Sequence, residues 1–196
     1  MSGEHSDALI SRQVRELETL LEERGLIDGR VIDETLDAFL RSGSPANGAR
    51  IVAHAWVDDD FRSRLLDDAN TAIKEIGLSM SGGLQEQRLR VVANTETVHN
   101  VIVCTLCSCY PIALLGPSPG WYKSDAYRSR VVRDPRGVLA EFGLTLDPAV
   151  QVTVWDASAE TRYLVLPRRP AGTEGRDEDE LAALVTRSGL IGTAAV

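Results

Sequence analysis

All three cysteines of this chain of 196 residues, Cys104, Cys107 and Cys109, lie within six consecutive positions. Three thiols cannot all pair with one another as disulfides, and side chains so close along the chain cannot serve distant sites. A single centre shared by the three sulfurs is therefore the most economical interpretation. This requirement constrains the fold, because the backbone must curl until three neighbouring side chains converge on one point.

Backbone atoms can complete such a centre. If Cys107 and Cys109 bind one ion through sulfur, the amide nitrogens of Ser108 and Cys109 lie between them and can close small chelate rings. The result is a square of sulfur and nitrogen ligands. Cys104 can then cap one axial position and leave the opposite one open, as a Lewis-acid catalyst requires. Deprotonated amides demand a small, highly charged ion, so the spacing indicates a metal site.

The charge balance of the chain argues against a nucleic-acid partner. Lys and Arg number 21 against 29 Asp and Glu, which gives a net charge of −8 and a surface that repels phosphates. The nearest candidate for a basic patch is the cluster Arg128, Arg130, Arg133 and Arg136. We expect these arginines to form a solvated or ion-paired helix face, because aromatic residues that stack on bases make up only 5% of the chain.

No segment is apolar for long enough to span a bilayer, and the polar start of the chain lacks the basic and hydrophobic regions of a signal peptide. We therefore expect a cytoplasmic protein without a membrane partner. In a reducing compartment, an odd number of clustered cysteines favours metal binding over a disulfide framework.

Apolar residues recur at helical spacing throughout the first part of the chain. The pattern predicts four helices, over residues 6–25, 31–42, 44–56 and 58–77. The composition then shifts at residues 79–83, and beyond this point the apolar period becomes two. The sequence therefore predicts an α+β fold in which a helical N-terminal arm, residues 1–78, precedes a body, residues 79–196.

The body is predicted to contain four strands. Residues 89–93 and 98–103 form the first two, and the second delivers the cysteines at its end. Residues 150–155 and 161–166 flank a short connection and are predicted to form a hairpin. A final helix is predicted over residues 177–187. His99 could in principle complete a zinc site with the cysteines, but a continuous strand would carry it roughly 16 Å from Cys104.

The stretch from Val103 to Tyr110, together with Tyr122-Lys123-Ser124, resembles the metal-claw motif of nitrile hydratase alpha subunits. The similarity extends to residues 127–133, 160–167 and 169–175. Members of this family have an N-terminal helical arm that embraces a beta subunit and a layered α-β-β-α body. The resemblance therefore implies that residues 1–78 contact a partner subunit and that residues 79–196 form the metal-binding catalytic domain.

In that family, the three cysteines and two amides bind a low-spin trivalent cobalt or iron, and the second and third cysteines are oxidised. The resemblance implies a sulfinate at Cys107, a sulfenate at Cys109, an unmodified thiolate at Cys104, and metal-binding amides at Ser108 and Cys109. Thr105 stands where iron enzymes usually carry serine. This difference favours cobalt(III) over iron(III).

The resemblance also implies roles outside the metal ligands. Gln85 matches a glutamine that lies beside the catalytic centre in the family. Four residues match charged family positions that could tune the properties of the claw: Lys123, Asp156, Glu160 and Arg162. Without the resemblance, Gln85 is equally well a solvent-facing loop residue and the charged residues are ordinary ion-pair partners. Thr105 lies within the claw itself and is expected to support its ligands, and the hydroxyl of Ser108 could hydrogen-bond an oxidised sulfur.

The claw would carry net negative charge, and a buried charge needs cationic hydrogen-bond donors. No basic residue lies between Ile102 and Tyr122, so the donors must come from far along this chain or from another chain. In the family they are beta-subunit arginines. We therefore predict that this chain works only with a beta-type subunit, and an activator protein for metal insertion is a further partner to consider.

The implied reaction is hydration of a nitrile to an amide, with water or the Cys109 sulfenate oxygen as the attacking group. Smaller residues than usual follow the claw, at Ile112-Ala113 and in residues 116–120, and we hypothesise a bulky substrate such as the heterocyclic nitrile of toyocamycin nitrile hydratase. The nearest alternative is the gamma subunit of thiocyanate hydrolase. A more distant one is a non-catalytic zinc or iron–sulfur module, whose fourth ligand would be His54, His99 or a carboxylate.

Overall fold

The N-terminal part of the chain is helical. The computed structural model describes residues 2–81, 85–107 and 109–196, with side chains from residue 8 onward. Helix α1 is Ser2–Glu23 and helix α2 is Gly29–Ser42, and most of both lies in a compact unit, Met1–Phe39. Most of their large apolar side chains are exposed: Leu9, Ile10, Val14, Leu17, Leu20, Val31 and Leu36. A long exposed apolar stripe is typical of a surface that another chain covers.

The second compact unit is Leu40–Val196. Its helices are α3 (Pro45–Val57), α4 (Asp59–Asp67), α5 (Ala69–Glu75), α6 (Ile112–Leu115), α7 (Asp125–Arg130), α8 (Pro135–Glu141), α9 (Glu178–Ala182) and α10 (Arg187–Ile191), and its strands are β1 (Arg88–Ala93), β2 (Val98–Val103), β3 (Gln151–Asp156) and β4 (Thr161–Leu166). A short 3-10 helix covers Gly120–Lys123. Helices α3, α4 and α5 thus belong to the second unit by their packing. The division at residue 78 into a partner-contacting arm and a catalytic domain concerns function and stays a prediction.

Capping side chains decide where several helices begin. Ser44 accepts a hydrogen bond from the backbone of Ala46 at the start of α3, with Pro45 in the first turn as the sequence predicts. The single helix predicted over residues 58–77 is wrong. Asp68 leaves helical geometry, and its carboxylate caps α5 at the backbone N–H of Thr71, so the helix divides into α4 and α5. The final helix predicted over residues 177–187 is too long, because α9 ends at Ala182 and Thr186 caps a separate helix, α10, that extends beyond the predicted range.

The four strands form two parallel pairs. β1 pairs with β4, with Val91 opposite Leu164, and β2 pairs with β3, with Val103 opposite Asp156. The strands themselves are confirmed, but the predicted hairpin of β3 and β4 is wrong. The Ala157 backbone N–H donates to Val103, which extends one pair, and Glu160 accepts from Arg88, which starts the other. The short connection between β3 and β4 therefore crosses from one sheet to the other.

The two sheets pack face to face between helices. Helices α4 and α5 cover β1, α10 covers β4, and α8 covers β3, while β2 contacts β4 across the interior. One apolar core joins residues of all these layers, among them Phe61, Leu65, Val101, Leu139 and Leu164. The predicted α+β class with an α-β-β-α layering is confirmed. Within the described residues, no helix has both the length and the apolar character that crossing a membrane requires.

Candidate metal centre

The three cysteines follow directly from strand β2. From His99 onward this strand is buried on both faces, so it carries the chain through the core and releases it at Cys104. The side chain of Cys104 is only 1% exposed, that of Cys109 is half-buried and that of Cys107 is exposed. The cluster therefore spans the boundary between the core and the surface, with its first sulfur inside.

The sulfur atoms converge as the spacing predicts. Sγ of Cys107 lies 3.2 Å from Sγ of Cys104 and 3.1 Å from Sγ of Cys109, and all three lie within 4.8 Å of one another. A disulfide bond is about 2.05 Å long, so these contacts join neighbouring thiols rather than bonded sulfurs. The structure brings the three predicted sulfur ligands to one point.

The distances between the sulfurs distinguish two kinds of metal site. Two sulfurs bound at about 2.3 Å to one ion are about 3.8 Å apart at a tetrahedral angle and about 3.3 Å apart at a right angle. Both contacts, 3.1 and 3.2 Å, agree with the right angle. The sulfurs therefore suit the square or octahedral arrangement predicted from the spacing. Ser108, whose amide is a predicted ligand, lies outside the described residues.

Neither histidine considered as a fourth ligand is near the sulfurs. Nε2 of His99 lies 2.8 Å from the carbonyl oxygen of Gly192, and burial lowers the pKa of this imidazole. Nδ1 of His54 lies 3.0 Å from Glu178. Among the described residues, the group of His, Cys, Asp and Glu side chains around the sulfurs consists of the three cysteines alone. Within the described part of the chain, the zinc-module alternative therefore lacks a fourth ligand beside the sulfurs.

Side chains from one later segment hold the carbonyl groups around the claw. Tyr127 donates its hydroxyl to the carbonyl of Ile102 at 2.7 Å, and Tyr122 donates to that of Cys109 at 3.0 Å. Both tyrosines are buried, and the cap of α7 at Ser124 sets the start of the helix that carries Tyr127. The backbone is thereby fixed on both sides of the cysteines.

Arg128 contacts the claw directly, which the sequence analysis did not predict. Its Nε donates to the carbonyl of Cys104 at 3.1 Å and its Nη2 to that of Thr105 at 2.7 Å. We expected a solvated or ion-paired helix face at this position, and one contact agrees, a 3.5 Å ion pair between Arg128 and Asp125. The sequence did contain one indication of such a contact. Because no basic residue lies close to the claw in sequence, a cation for it had to come from a distant part of this chain or from another chain.

Asp156 and Thr105, both predicted to support the claw, are in direct contact. The Thr105 backbone N–H donates to Oδ1 of Asp156 at 2.9 Å, and its hydroxyl donates to Oδ2 at 2.5 Å. The pairing of β2 with β3 explains this contact, because it sets Asp156 opposite Val103 and so beside the start of the claw. Sequence similarity suggested the residue, and strand register explains its position.

Arg162 lies beside Cys109. Its side chain is only 8% exposed, and Nη1 donates to the carbonyls of Ser158 and Ala159. Its Nε is buried and has no partner among the described residues. Burial raises the pKa of the Cys109 thiol to about 12, contact with Cys107 acts in the same direction, and the positive charge of Arg162 opposes both. An acceptor atom added to Cys109 would therefore meet a cation held close by.

The other predicted positions are farther from this contact network. Lys123 and Gln85 are exposed, and neither has a described hydrogen bond to the claw. Glu160 is also exposed, and its carboxylate accepts a hydrogen bond from the hydroxyl of Ser158, at the turn that Arg162 anchors. The roles predicted for Lys123, Gln85 and Glu160 stay predictions.

This chain is similar to known proteins in both sequence and structure. The family described as nitrile hydratase, alpha chain, matches residues 8–194. The chain is 54% identical to the low-molecular weight cobalt-containing nitrile hydratase subunit alpha of Rhodococcus rhodochrous over 187 residues, 95% of this chain and 89% of that one. It is 43% identical to thiocyanate hydrolase subunit gamma of Thiobacillus thioparus over 197 residues, 95% and 78% of the two chains.

Among solved structures, a double mutant of the Fe-type nitrile hydratase of Comamonas testosteroni Ni1 superposes with a TM-score of 0.86 at 40% identity. The match covers 96% of this chain and 90% of the other. The similarity thus extends over the arm and the body and is not confined to the cysteines.

Proposed function

Because the chain belongs to the nitrile hydratase alpha-chain family, we propose that it is the metal-binding subunit of a cobalt enzyme that hydrates a nitrile to the corresponding amide. The observation that carries this proposal is the right-angle spacing of the sulfurs of Cys104, Cys107 and Cys109. The higher identity to a cobalt-containing nitrile hydratase subunit than to a thiocyanate hydrolase subunit, 54% against 43%, favours a nitrile as substrate.

The ligands of this proposal are the three cysteine sulfurs and the amide nitrogens of Ser108 and Cys109. A trivalent cobalt held by them would supply a Lewis acid that activates a nitrile or water. Thr105 favours cobalt over iron on the family pattern. We further propose that Cys107 carries a sulfinate and Cys109 a sulfenate, and that the unpaired Nε of Arg162 donates to the oxygen on Cys109.

The overall chemistry adds one water to a carbon–nitrogen triple bond. The water oxygen bonds to the carbon, its two protons end on the amide nitrogen, and no oxidant is consumed. In this direct route the oxygen on Cys109 can take the first proton from water. In the alternative route the oxygen on Cys109 attacks the carbon and leaves with the amide, and water then attacks the sulfur and replaces that oxygen, so the overall balance is the same. Gln85 is proposed to orient the attacking group, and Lys123 and Glu160 to adjust the charge around the claw.

A beta-type partner subunit completes the proposal. The similar proteins are named as alpha or gamma subunits, so enzymes of this kind consist of more than one type of chain. We propose that the partner covers the exposed apolar residues of α1 and α2 and supplies arginines to the claw in addition to Arg162. Metal insertion by an activator protein and a cytoplasmic location belong to the same proposal, the latter because three clustered thiols need a reducing compartment before they bind metal.

A bulky substrate is a narrower part of the proposal. Two residues that follow the claw, Ile112 and Ala113, are smaller than is usual in the family. Ala113 is buried, and its carbonyl accepts a hydrogen bond from Asn47 of α3. Its small side chain therefore serves the packing of α6 on α3. Ile112 is half-buried, and with Pro117 and Ser118 it is the better candidate to widen a substrate pocket.

The decisive experiment uses the chain produced together with a beta-type subunit. We expect stoichiometric cobalt and added oxygen atoms on Cys107 and Cys109 in the intact mass of the cysteine peptide. Nitriles should be hydrated faster than thiocyanate, and heterocyclic nitriles faster than acetonitrile. Stoichiometric zinc with unoxidised cysteines would overturn the metal assignment, and a preference for thiocyanate would transfer the chain to the alternative function.

A further inference from the structure

The peptide unit that joins Cys104 to Thr105 lies between two opposite charges. Its carbonyl oxygen accepts a hydrogen bond from Nε of Arg128 at 3.1 Å, and its N–H donates to Oδ1 of Asp156 at 2.9 Å. The same two side chains hold the next groups along the chain. Nη2 of Arg128 donates to the Thr105 carbonyl at 2.7 Å, and Oδ2 of Asp156 accepts from the Thr105 hydroxyl at 2.5 Å.

The signs of these charges match the peptide dipole. A peptide group is positive at its N–H and negative at its carbonyl, with a dipole of about 3.5 D, so a carboxylate at the first and a guanidinium at the second both stabilise it. Hydrogen bonds to ionised groups are roughly twice as strong as neutral ones. A flipped peptide would present its carbonyl to Asp156 and its N–H to Arg128. One orientation of this peptide is therefore strongly favoured.

This orientation sets the direction in which the chain leaves the buried cysteine. The rotation of the backbone on the carbonyl side of Cys104 is fixed by the peptide, and the chain beyond Thr105 must leave in one direction. The backbone N–H of Cys107 then donates to Sγ of Cys104 at 3.3 Å, and the two sulfurs lie 3.2 Å apart. The peptide orientation thus controls the approach of the second cysteine to the first.

The two charged residues come from different parts of the fold. Arg128 lies in helix α7, whose start is capped by Ser124, and Asp156 ends strand β3 opposite Val103. Each is positioned by its own element, so the claw is held between a helix and a sheet. Thr105 suits this arrangement, because its branched side chain has few rotamers and can keep its hydroxyl on Asp156.

We propose that Arg128 and Asp156 are a matched pair of positioning residues that fix the Cys104–Thr105 peptide, so that the three sulfurs are preorganised before metal binds. This inference rests on the proposed metal-binding function of the claw and adds Arg128 to the residues that serve it. Neither residue is assigned a contact with substrate. Their effect is on the affinity of the claw for metal and on the electronic environment of its sulfurs.

The test measures binding of Co²⁺ to the metal-free complex of this chain with its beta-type subunit, in competition with a chelator of known affinity. The variants are Arg128→Gln, Asp156→Asn and the double variant. Loss of a residue that orients metal ligands typically weakens metal affinity about 10- to 100-fold, and we expect each single variant to fall in this range. Because both side chains act on one peptide, the double variant should lose less than the product of the single losses.

Two further variants separate positioning from general stability. Arg128→Lys keeps the charge but cannot reach two carbonyls with a planar fork, so its affinity should be intermediate. Arg130→Gln is the matched control, because Arg130 lies on the same helix and pairs with Glu141 instead of the claw. Its cobalt affinity should equal that of the unmodified complex.

The absorption band from sulfur to cobalt gives a second readout, and it should shift in Arg128→Gln and Asp156→Asn even at full occupancy. Unchanged affinity with an unchanged band in both single variants would overturn the proposal, and so would affinity losses that multiply independently. A preference of the unmodified enzyme for thiocyanate would change the proposed function but leave this result intact, because the assay contains cobalt and no substrate.

Discussion

The N-terminal helices and the cysteine loop are stabilised in opposite ways. Helices α1 and α2 leave their apolar stripe exposed, with Leu17 at 57% exposure. The loop is short and largely polar, but side chains from α7, β3 and the 3-10 helix hold its backbone. The helices therefore have regular backbone structure without a completed core, whereas the irregular loop is anchored within its own chain. A segment can therefore have regular secondary structure while its apolar side chains still lack a buried environment.

The largest expected effect concerns the loop. Cys109→Ala removes one sulfur and its proposed oxygen, and we expect nitrile hydration to fall by several orders of magnitude because the ligand set is incomplete. Leu106→Ala is the control, since this side chain in the same loop is 89% exposed. Turnover and cobalt content of the complex are measured for both. Equal losses in the two variants would mean that the loop tolerates no change, and the assignment of the sulfur would fail.

A core residue and an arm residue should differ in their effect on stability. Leu164→Ala creates a cavity beneath β4, where the side chain is fully buried, and should lower the free energy of unfolding by about 2–5 kcal/mol. Leu17→Ala in the isolated chain should change it by less than about 0.5 kcal/mol. Denaturant unfolding of both variants provides the comparison. A large loss from Leu17→Ala would show that the arm is already packed in the isolated chain.

The same arm residue should become important once the partner is present. The double substitution Val14→Asp and Leu17→Asp puts charge on the exposed stripe of α1. We expect the beta-type subunit to bind roughly 10²- to 10⁴-fold more weakly, because burial of each such side chain contributes about 1.5–3 kcal/mol. Arg15→Gln, on an exposed polar position of the same helix, should leave the dissociation constant unchanged. Equal binding by the charged and the control variants would remove the arm from the interface.

The smallest effect is a pH dependence in the body. Burial lowers the pKa of His99 below its ordinary value of 6.5, so the unfolded chain takes up a proton at a higher pH than the folded chain does. Stability should therefore be complete above about pH 6.5 and decline as the pH falls below that value toward the lower folded pKa. His99→Gln should reduce this slope between pH 7 and pH 5 in denaturant titrations. An unchanged slope would assign the effect to other groups.

The sequence predicted the parts of the molecule that depend on local chemistry. Apolar periodicity located the helices and strands, and Ser44-Pro45 marked the start of α3. Three cysteines in six positions indicated a shared centre, and their sulfurs do converge. Each of these features depends on residues within a few positions of one another, so the local sequence is enough to predict it.

Features that depend on distant residues were less accessible. Alternation along β3 and β4 predicted strands but could not specify their partners, so a hairpin was expected where two parallel pairs form. Asp68 divides a helix because its carboxylate caps the following turn. The sequence pattern does not show whether such an acidic residue continues a helix or caps a new one. Arg128 is separated from Cys104 by 24 positions, and its role depends on how α7 packs beside the loop.

The pairing of β2 with β3 also links the register of the strands to the metal-binding loop. Because side chains alternate along a strand, a shift of β3 by one residue would move its side chains to the opposite face. Trp155 or Ala157 would then lie opposite Val103 in place of Asp156, and Thr105 would lose both hydrogen bonds to the carboxylate. We therefore expect a shifted β3 to weaken metal binding by the claw, so that correct strand register is a condition for a filled metal site.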